Sequence, residues 1–175
     1  QVFLLIPSSN QECRSLDFTG FAGTIVSDSN IDVYGNLILV NTSTYNVNNF
    51  SFKATSAGWT ISMNGVQPSS ALFFNGVGGG WTFNDNVTLS GNGGSIVITN
   101  GSLNTNGKIV DCAQFASSNA NIRTVTINNS TITVRGNQTF PWLFGNTINL
   151  TFSATGSTIV MAGTTNTSDF QGGGL

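Results

Sequence analysis

The chain contains no histidine, which removes the commonest general base, the Ser-His-Asp arrangement and most zinc sites together. Chemistry at paired carboxylates stays open, and the acids available are Glu12, Asp17, Asp28, Asp32, Asp85, Asp111 and Asp169. In a coiled β fold that cleaves polysaccharide, several of these would sit with Arg or Lys on neighbouring coils. The linear sequence shows no such cluster. Asp28 and Asp32 lie close together, but Asp32 alternates with Ile31 and Val33 and so points away from the apolar face. Solvated turn and outer-face acids are the preferred reading, and no catalytic residue is assigned. Asn84-Asp85-Asn86 offers oxygens to calcium, yet one acid is little charge for such a site. No metal site and no cofactor are expected.

Gly76-Val77-Gly78-Gly79-Gly80 lacks the Lys-Ser/Thr that completes a phosphate loop, and Trp81-Thr82-Phe83 after it reads as a strand. A tight bend at a coil corner is the simpler reading. Aromatic residues outside the strand pattern are the binding candidates: Tyr34, Tyr45 and Trp142, the last within Phe140-Pro141-Trp142. Each could stack on a sugar ring or a partner, and each could instead anchor a loop. Nine Asn-x-Ser/Thr sites occur in a chain rich in all three residue types, so they are weak evidence of glycosylation.

The elements that must position these residues are short strands. Ile96-Val97-Ile98, Val125-Thr126-Ile127, Thr131-Ile132-Thr133-Val134 and Ile148-Asn149-Leu150-Thr151-Phe152 are β-branched or aromatic with period two. Between such runs stand Asn-Gly pairs, as at Asn64-Gly65 and Asn106-Gly107, which take positive φ cheaply. No window sustains the period of a helix. Segments also match at an offset of about one hundred residues: Asn49-Phe50-Ser51-Phe52 with Asn149-Leu150-Thr151-Phe152, Ile31-Asp32-Val33 with Ile132-Thr133-Val134, Thr60-Ile61-Ser62 with Thr158-Ile159-Val160, and Phe74-Asn75-Gly76 with Phe170-Gln171-Gly172. Fixed repeats of short apolar segments mark stacked architectures.

The predicted fold is all-β: a right-handed parallel β-helix, or β-solenoid, with a degenerate super-repeat. Residues 1–12 form an apolar N-terminal segment, 13–111 the first super-repeat and 112–175 an incomplete second one, all in one continuous solenoid. A tandem β-sandwich, with a hairpin at each Asn-Gly pair, is the alternative. At roughly 20–25 residues per coil and about 4.8 Å between strands, seven to nine coils some 35–40 Å long are expected. Cys13 and Cys112 fall in the same register of the two copies. Equivalent places several coils apart, roughly 15–20 Å, are too distant for a disulfide, so two small buried thiols, not bonded to each other, are expected.

Only 7% of residues are charged and the net charge is −2. With no basic stripe among Arg14, Lys53, Lys108, Arg123 and Arg135, nucleic acid is excluded as a partner. No apolar run nears the roughly 20 residues of a membrane helix, so no membrane insertion is expected. The apolar start at Val2-Phe3-Leu4-Leu5-Ile6, without an initiator Met, fits a chain whose signal peptide has been removed, or a window on a longer protein. Such a start needs covering, and the last coil offers unpaired backbone. Self-association or continuation of the same chain end to end is the expected partnership.

The series Cys13-Arg14-Ser15-Leu16-Asp17-Phe18-Thr19-Gly20-Phe21-Ala22-Gly23-Thr24, Tyr34-Gly35-Asn36-Leu37, Phe74-Asn75-Gly76-Val77-Gly78-Gly79-Gly80-Trp81-Thr82-Phe83 and Asn104-Thr105-Asn106-Gly107 resembles the β-helical repeats of giant exported Bacteroidetes surface proteins and adhesins. It is similar also to repeats of phage or marine metagenomic structural proteins. The resemblance supplies no catalytic residues and implies a non-catalytic structural or adhesive module of an extracellular surface protein or filament. Surface glycans or a host-cell surface are the implied ligands, and the place is extracellular, on a cell surface or a virion. The alternatives are a phage tail or virion appendage and, in a different class, a polysaccharide-degrading β-helix enzyme. Ionisable groups clustered on one outer face would favour the enzyme.

Overall fold

The computed structural model describes residues 3–6, 11–163 and 169–174, and among them there is no helix. Each turn of the chain lays down up to three short strands. The first turn holds β1 (Phe3–Ile6), β2 (Gln11–Cys13) and β3 (Leu16–Asp17), and the second β4 (Thr24–Ser27), β5 (Ile31–Val33) and β6 (Leu37–Ile38). Then come β7 (Thr44–Val47), β8 (Asn49–Phe52) and β9 (Trp59–Ser62), and the long β10 (Ala71–Phe83). After these follow β11 (Val87–Thr88) and β12 (Ser95–Asn104), then β13 (Ile109–Cys112), β14 (Gln114–Ala116) and β15 (Arg123–Thr126). The chain continues through β16 (Thr131–Val134), β17 (Trp142–Leu143), β18 (Leu150–Ser153), β19 (Thr158–Met161) and β20 (Phe170–Gln171).

Every ladder among these strands is parallel and joins one turn to the next, as in Ile31↔Phe50, Phe50↔Leu72, Leu72↔Ile96, Ile96↔Phe115, Phe115↔Trp142 and Trp142↔Phe170. The molecule is a right-handed parallel β-helix whose middle face stacks eight rungs. The tandem sandwich is excluded, since its hairpins would pair strands antiparallel. Eight rungs fall within the seven to nine coils expected, although coil length varies: Ile96 to Phe115 is 19 residues, whereas Trp142 to Phe170 is 28.

The three strand positions make three faces. β1, β4 and β7 begin the first face, which resumes at β11, β13, β16 and β19. The middle face runs β2, β5, β8, β10, β12, β14, β17, β20, and the third holds β3, β6, β9, β15 and β18. β10 and β12 turn the corner without breaking, so their C-terminal halves also fill third-face rungs and fuse the two faces into one 13-stranded sheet.

Alternation puts one side chain in two inside, and like stacks on like. Leu37, Ile61 and Phe83 share the third face, and Val110, Ile132 and Ile159 the first. Rings stack face to face at Phe52–Phe74 (4.8 Å), Phe115–Trp142 (5.4 Å) and Trp142–Phe170 (5.7 Å). At Asn64-Gly65 and Asn106-Gly107 both residues have positive φ, as the sequence required of those turns.

Of the hundred-residue matches, only Phe74 with Phe170 falls on one face, the middle one; the others do not mark equivalent places. Asn49–Phe52 lies on the middle face in β8 but its match in β18 on the third; Ile31–Val33 lies on the middle face in β5 but its match in β16 on the first. Because coils vary in length, a fixed offset is not a whole number of turns. What recurs is strand-and-turn composition. Residue 112 falls inside β13, and the solenoid runs through it unbroken. Cys13 and Cys112 are both unpaired, but only Cys112 is buried: Cys13, at the end of β2 beside the surface cleft at Glu12, is half-buried, and the two lie on different faces about 24 Å apart along the axis, counting five rungs at ~4.8 Å. The side chains of Val2–Ile6, whose cover was expected, lie outside those described, as does the site at Asn166.

Candidate functional site

Parallel register assembles what the linear sequence kept apart. Glu12, Asp32 and Ser51 occupy one outward column on three successive middle-face rungs. The Lys53 ammonium donates to Asp32 Oδ2 at 2.6 Å, and the Tyr34 hydroxyl donates to Glu12 Oε1 at 3.4 Å. The Cys13 thiol donates to the Asp32 carbonyl at 3.5 Å. Asp32 does point outward, as alternation requires, yet it is only 2% exposed, and its Oδ1 has no hydrogen-bond partner. Among the described residues this is the ionic cluster on that face, and residues about 20 apart in sequence form it because a coil is that long.

The cluster's electrostatics follow from this packing. The hydrogen bond that Lys53 donates to Asp32 raises the Lys53 pKa above the usual lysine range. Desolvation, with the Glu12 carboxylate next, raises the Tyr34 phenol. Burial first, and then Asp32, raises the Cys13 thiol, which disfavours the nucleophilic thiolate. A shallow cleft of about 320 Å³ lies against Glu12, Cys13, Arg14 and Tyr34. Of the two carboxylates, Glu12 alone is exposed. A two-carboxylate mechanism needs both to reach one bond, and Asp32 is shut away beneath its neighbours.

The three aromatic candidates part company. Tyr34 lies at the surface in this cluster, half-exposed. Tyr45 does not: it is 7% exposed, its hydroxyl accepts from Val40 N at 2.8 Å and donates to Val40 O at 3.2 Å, and Phe18 meets its ring edge-on. Trp142 is fully buried in β17, between Phe115 and Phe170 in the ring stack. Neither presents a ring face to a ligand, and loop anchoring and core stacking are their roles. Nor does Asn84-Asp85-Asn86 form a cation cage. The Asp85 carboxylate accepts from Met63 N at 2.8 Å and from Asn64 N, and Asn86 Oδ1 accepts from Ile109 N at 3.0 Å.

Sequence reasoning missed Arg123. Its side chain is buried, and its guanidinium donates six hydrogen bonds: to the carbonyls of Ser117, Asn119, Asn121, Asn146 and Ile148, and to Ser117 Oγ. The two ion pairs among the described residues are Lys53–Asp32 and Arg135–Asp111, so Arg123 has no carboxylate partner. Carbonyl dipoles hold it, and burial lowers its pKa. It ties the corner of one coil to that of the next. No signal in the sequence separates it from the other four basic residues.

No protein-family model, no curated protein and no solved structure matches the chain.

Proposed function

We propose that the chain is a non-catalytic structural module of an extracellular surface protein or filament, a rigid spacer built by stacking. One observation carries this reading: polar side chains at the bends are spent on the neighbouring coil. Asn36 Oδ1 accepts from Thr60 N, Asn49 Oδ1 from Ala71 N, Asn86 Oδ1 from Ile109 N and Asn128 Oδ1 from Thr155 N, all between 2.8 and 3.0 Å. Asp85 reaches back in the same way to Met63 and Asn64. Groups that an enzyme would aim at substrate here cross-link rungs. The charge-poor surface of Asn, Ser, Thr and Gly supports an exported protein, and a chain that stacks rung on rung can be extended by further coils of itself.

The ionic cluster on the middle face favours a second reading, a polysaccharide-acting site using Glu12 and Tyr34. Incubation with a panel of neutral and acidic polysaccharides, followed by reducing-end release and unsaturated-uronate absorbance, separates the two. The structural reading expects no release. Turnover that Glu12→Gln or Tyr34→Phe abolishes, with the fold intact by circular dichroism, would replace it with the enzymatic one.

A further inference from the structure

The corner between the middle and third faces is not level. Between rungs fixed by the ladder, the β10 coil has six residues (74–79), the β12 coil four (98–101) and the following coil seven (117–123). A short corner between two long ones leaves a trench one coil wide. At about 4.8 Å per rung its walls stand roughly 9–10 Å apart, backbone to backbone. The floor is Asn100, Gly101 and Ser102, and the cleft measures about 630 Å³. Val77 crowns one wall and Ile122 the other, exposed by 71% and 79%. Gly101 keeps the floor low: it has φ +74°, and a Cβ there would lie 2.4 Å from Gly76 O.

The polar groups in the trench are uncharged and partly fixed. Asn100 donates its amide to Asn75 Oδ1 at 2.6 Å, and Asn121 donates to Thr99 O at 3.0 Å. Each is thereby oriented with its own Oδ1 left to accept. The Thr124 hydroxyl, also on the lining, adds a donor and an acceptor. The one cation of this corner, Arg123, is turned beneath the wall and consumed by carbonyls. No exposed cation is there to pair a carboxylate or sulfate, and no acid to pair an ammonium.

We propose that this trench binds a neutral polysaccharide, one hexopyranose chain lying between the two walls. The match is chemical. A pyranose ring has apolar C–H faces and a hydroxyl rim; the faces fit against Val77 and Ile122, and the rim meets Asn100, Ser102, Asn121 and Thr124. An extended peptide would fit less well, because it binds such folds by adding to a free sheet edge, and β10, β12 and β15 are paired on both sides. The trench is distinct from the Glu12–Tyr34 cluster and does not depend on the module being catalytically inert.

The test is an amide chemical-shift titration of the whole 175-residue chain with cellohexaose, maltohexaose, mannohexaose and laminarihexaose, and with oligogalacturonate as the anionic control. At least one neutral oligomer should shift amides of 77–79, 100–102 and 120–124 at millimolar concentration. Asn121→Ala and Ile122→Asp, both at exposed positions, should each weaken that binding at least tenfold with unchanged melting. Three results would overturn the proposal: no neutral oligomer shifting those amides, oligogalacturonate alone doing so, or the variants binding as well as the parent. A fourth would reassign the trench to a second copy of this chain, namely concentration-dependent sedimentation that Ile122→Asp abolishes. None of these outcomes bears on the structural reading, which is tested by turnover.

Discussion

Replacing Arg123 by methionine isolates the energetics of a buried cation held only by dipoles. Methionine fills much of the same volume, so the change removes donors more than packing. Six hydrogen bonds are lost, and bonds to charged groups contribute about 1.5–3 kcal/mol each before their non-additivity is considered. Against that gross gain stands the desolvation of the guanidinium, several kcal/mol for a buried ion. The carbonyls differ in their fate. Those of Asn119, Asn121, Asn146 and Ile148 belong to half-buried or exposed residues and can turn to water, whereas Ser117 is fully buried. Its carbonyl oxygen stays orphaned at about 1–3 kcal/mol, whereas Ser117 Oγ keeps its own bond to Ile98 O at 3.0 Å. The expected net loss is about 3–5 kcal/mol, a large share of the roughly 5–15 kcal/mol available to a domain. Denaturant unfolding with linear extrapolation measures it. Arg123→Lys should fall between, at about 2–3 kcal/mol, since an ammonium keeps the charge but cannot fork to carbonyls on two coils. A loss under about 1 kcal/mol for Arg123→Met would refute the reasoning, and would mean that desolvation cancels the bonds.

Trp142→Ala should destabilise by about 3–5 kcal/mol in the same assay, because it empties the centre of the stack between Phe115 and Phe170; a ligand-contact role without core burial would leave stability nearly unchanged. Gly101→Ala should lose roughly 1–2 kcal/mol from the left-handed backbone alone, and more from the close approach to Gly76 O, with a lower melting temperature as the readout. Stability should also fall in alkali. Burial pushes the Cys112 thiol and the Tyr45 phenol up, and the bond to Asp32 raises Lys53. A raised native pKa gives stability that is complete below the unfolded value and lost as pH rises above it. The decline should begin near pH 8.5, the unfolded cysteine value, at about 1.4 kcal/mol per pH unit for each such group. The Cys13 thiol is raised as well, so Cys112→Ala should shrink the first part of the decline and Cys13→Ala with Cys112→Ala should delay its onset toward the tyrosine and lysine range; an alkaline limb unchanged in the double variant would assign the decline to other groups.

Parallel stacking was legible because period-two runs such as Ile96-Val97-Ile98 carry their own face, and Asn-Gly turns mark where a coil bends. Position around the coil was not legible. It depends on the running sum of loop lengths, and loops of different length are chemically alike in this chain, so the hundred-residue match placed segments from different faces in one register. Trp142 was misread for a related reason. Its strand is two residues long and follows a proline, too short to show alternation, and only the ring below it in Phe115 reveals its slot. Glu12, Asp32 and Lys53 became a cluster only once register was known. Asp32 carried the right direction from alternation but not its burial, which comes from Lys53 one coil along. The trench needed more still: the difference between three neighbouring loop lengths, read against a ladder.

The ladder also fixes how the molecule answers to force. Its interstrand hydrogen bonds lie nearly along the solenoid axis, so tension applied through the two ends of the chain loads successive rungs in series, and each rung opens as a zipper tooth would. Shear, in which a whole strand must slip at once, is absent from that geometry. Each opened coil frees 19 to 28 residues, which at about 3.3–3.6 Å per residue is some 60–100 Å of new contour. In a single-molecule pulling experiment the chain should therefore lengthen at low force through a series of unequal steps, with the longest contributed by the coils after Phe115. A solenoid of this kind lengthens rung by rung under load instead of giving way in a single step.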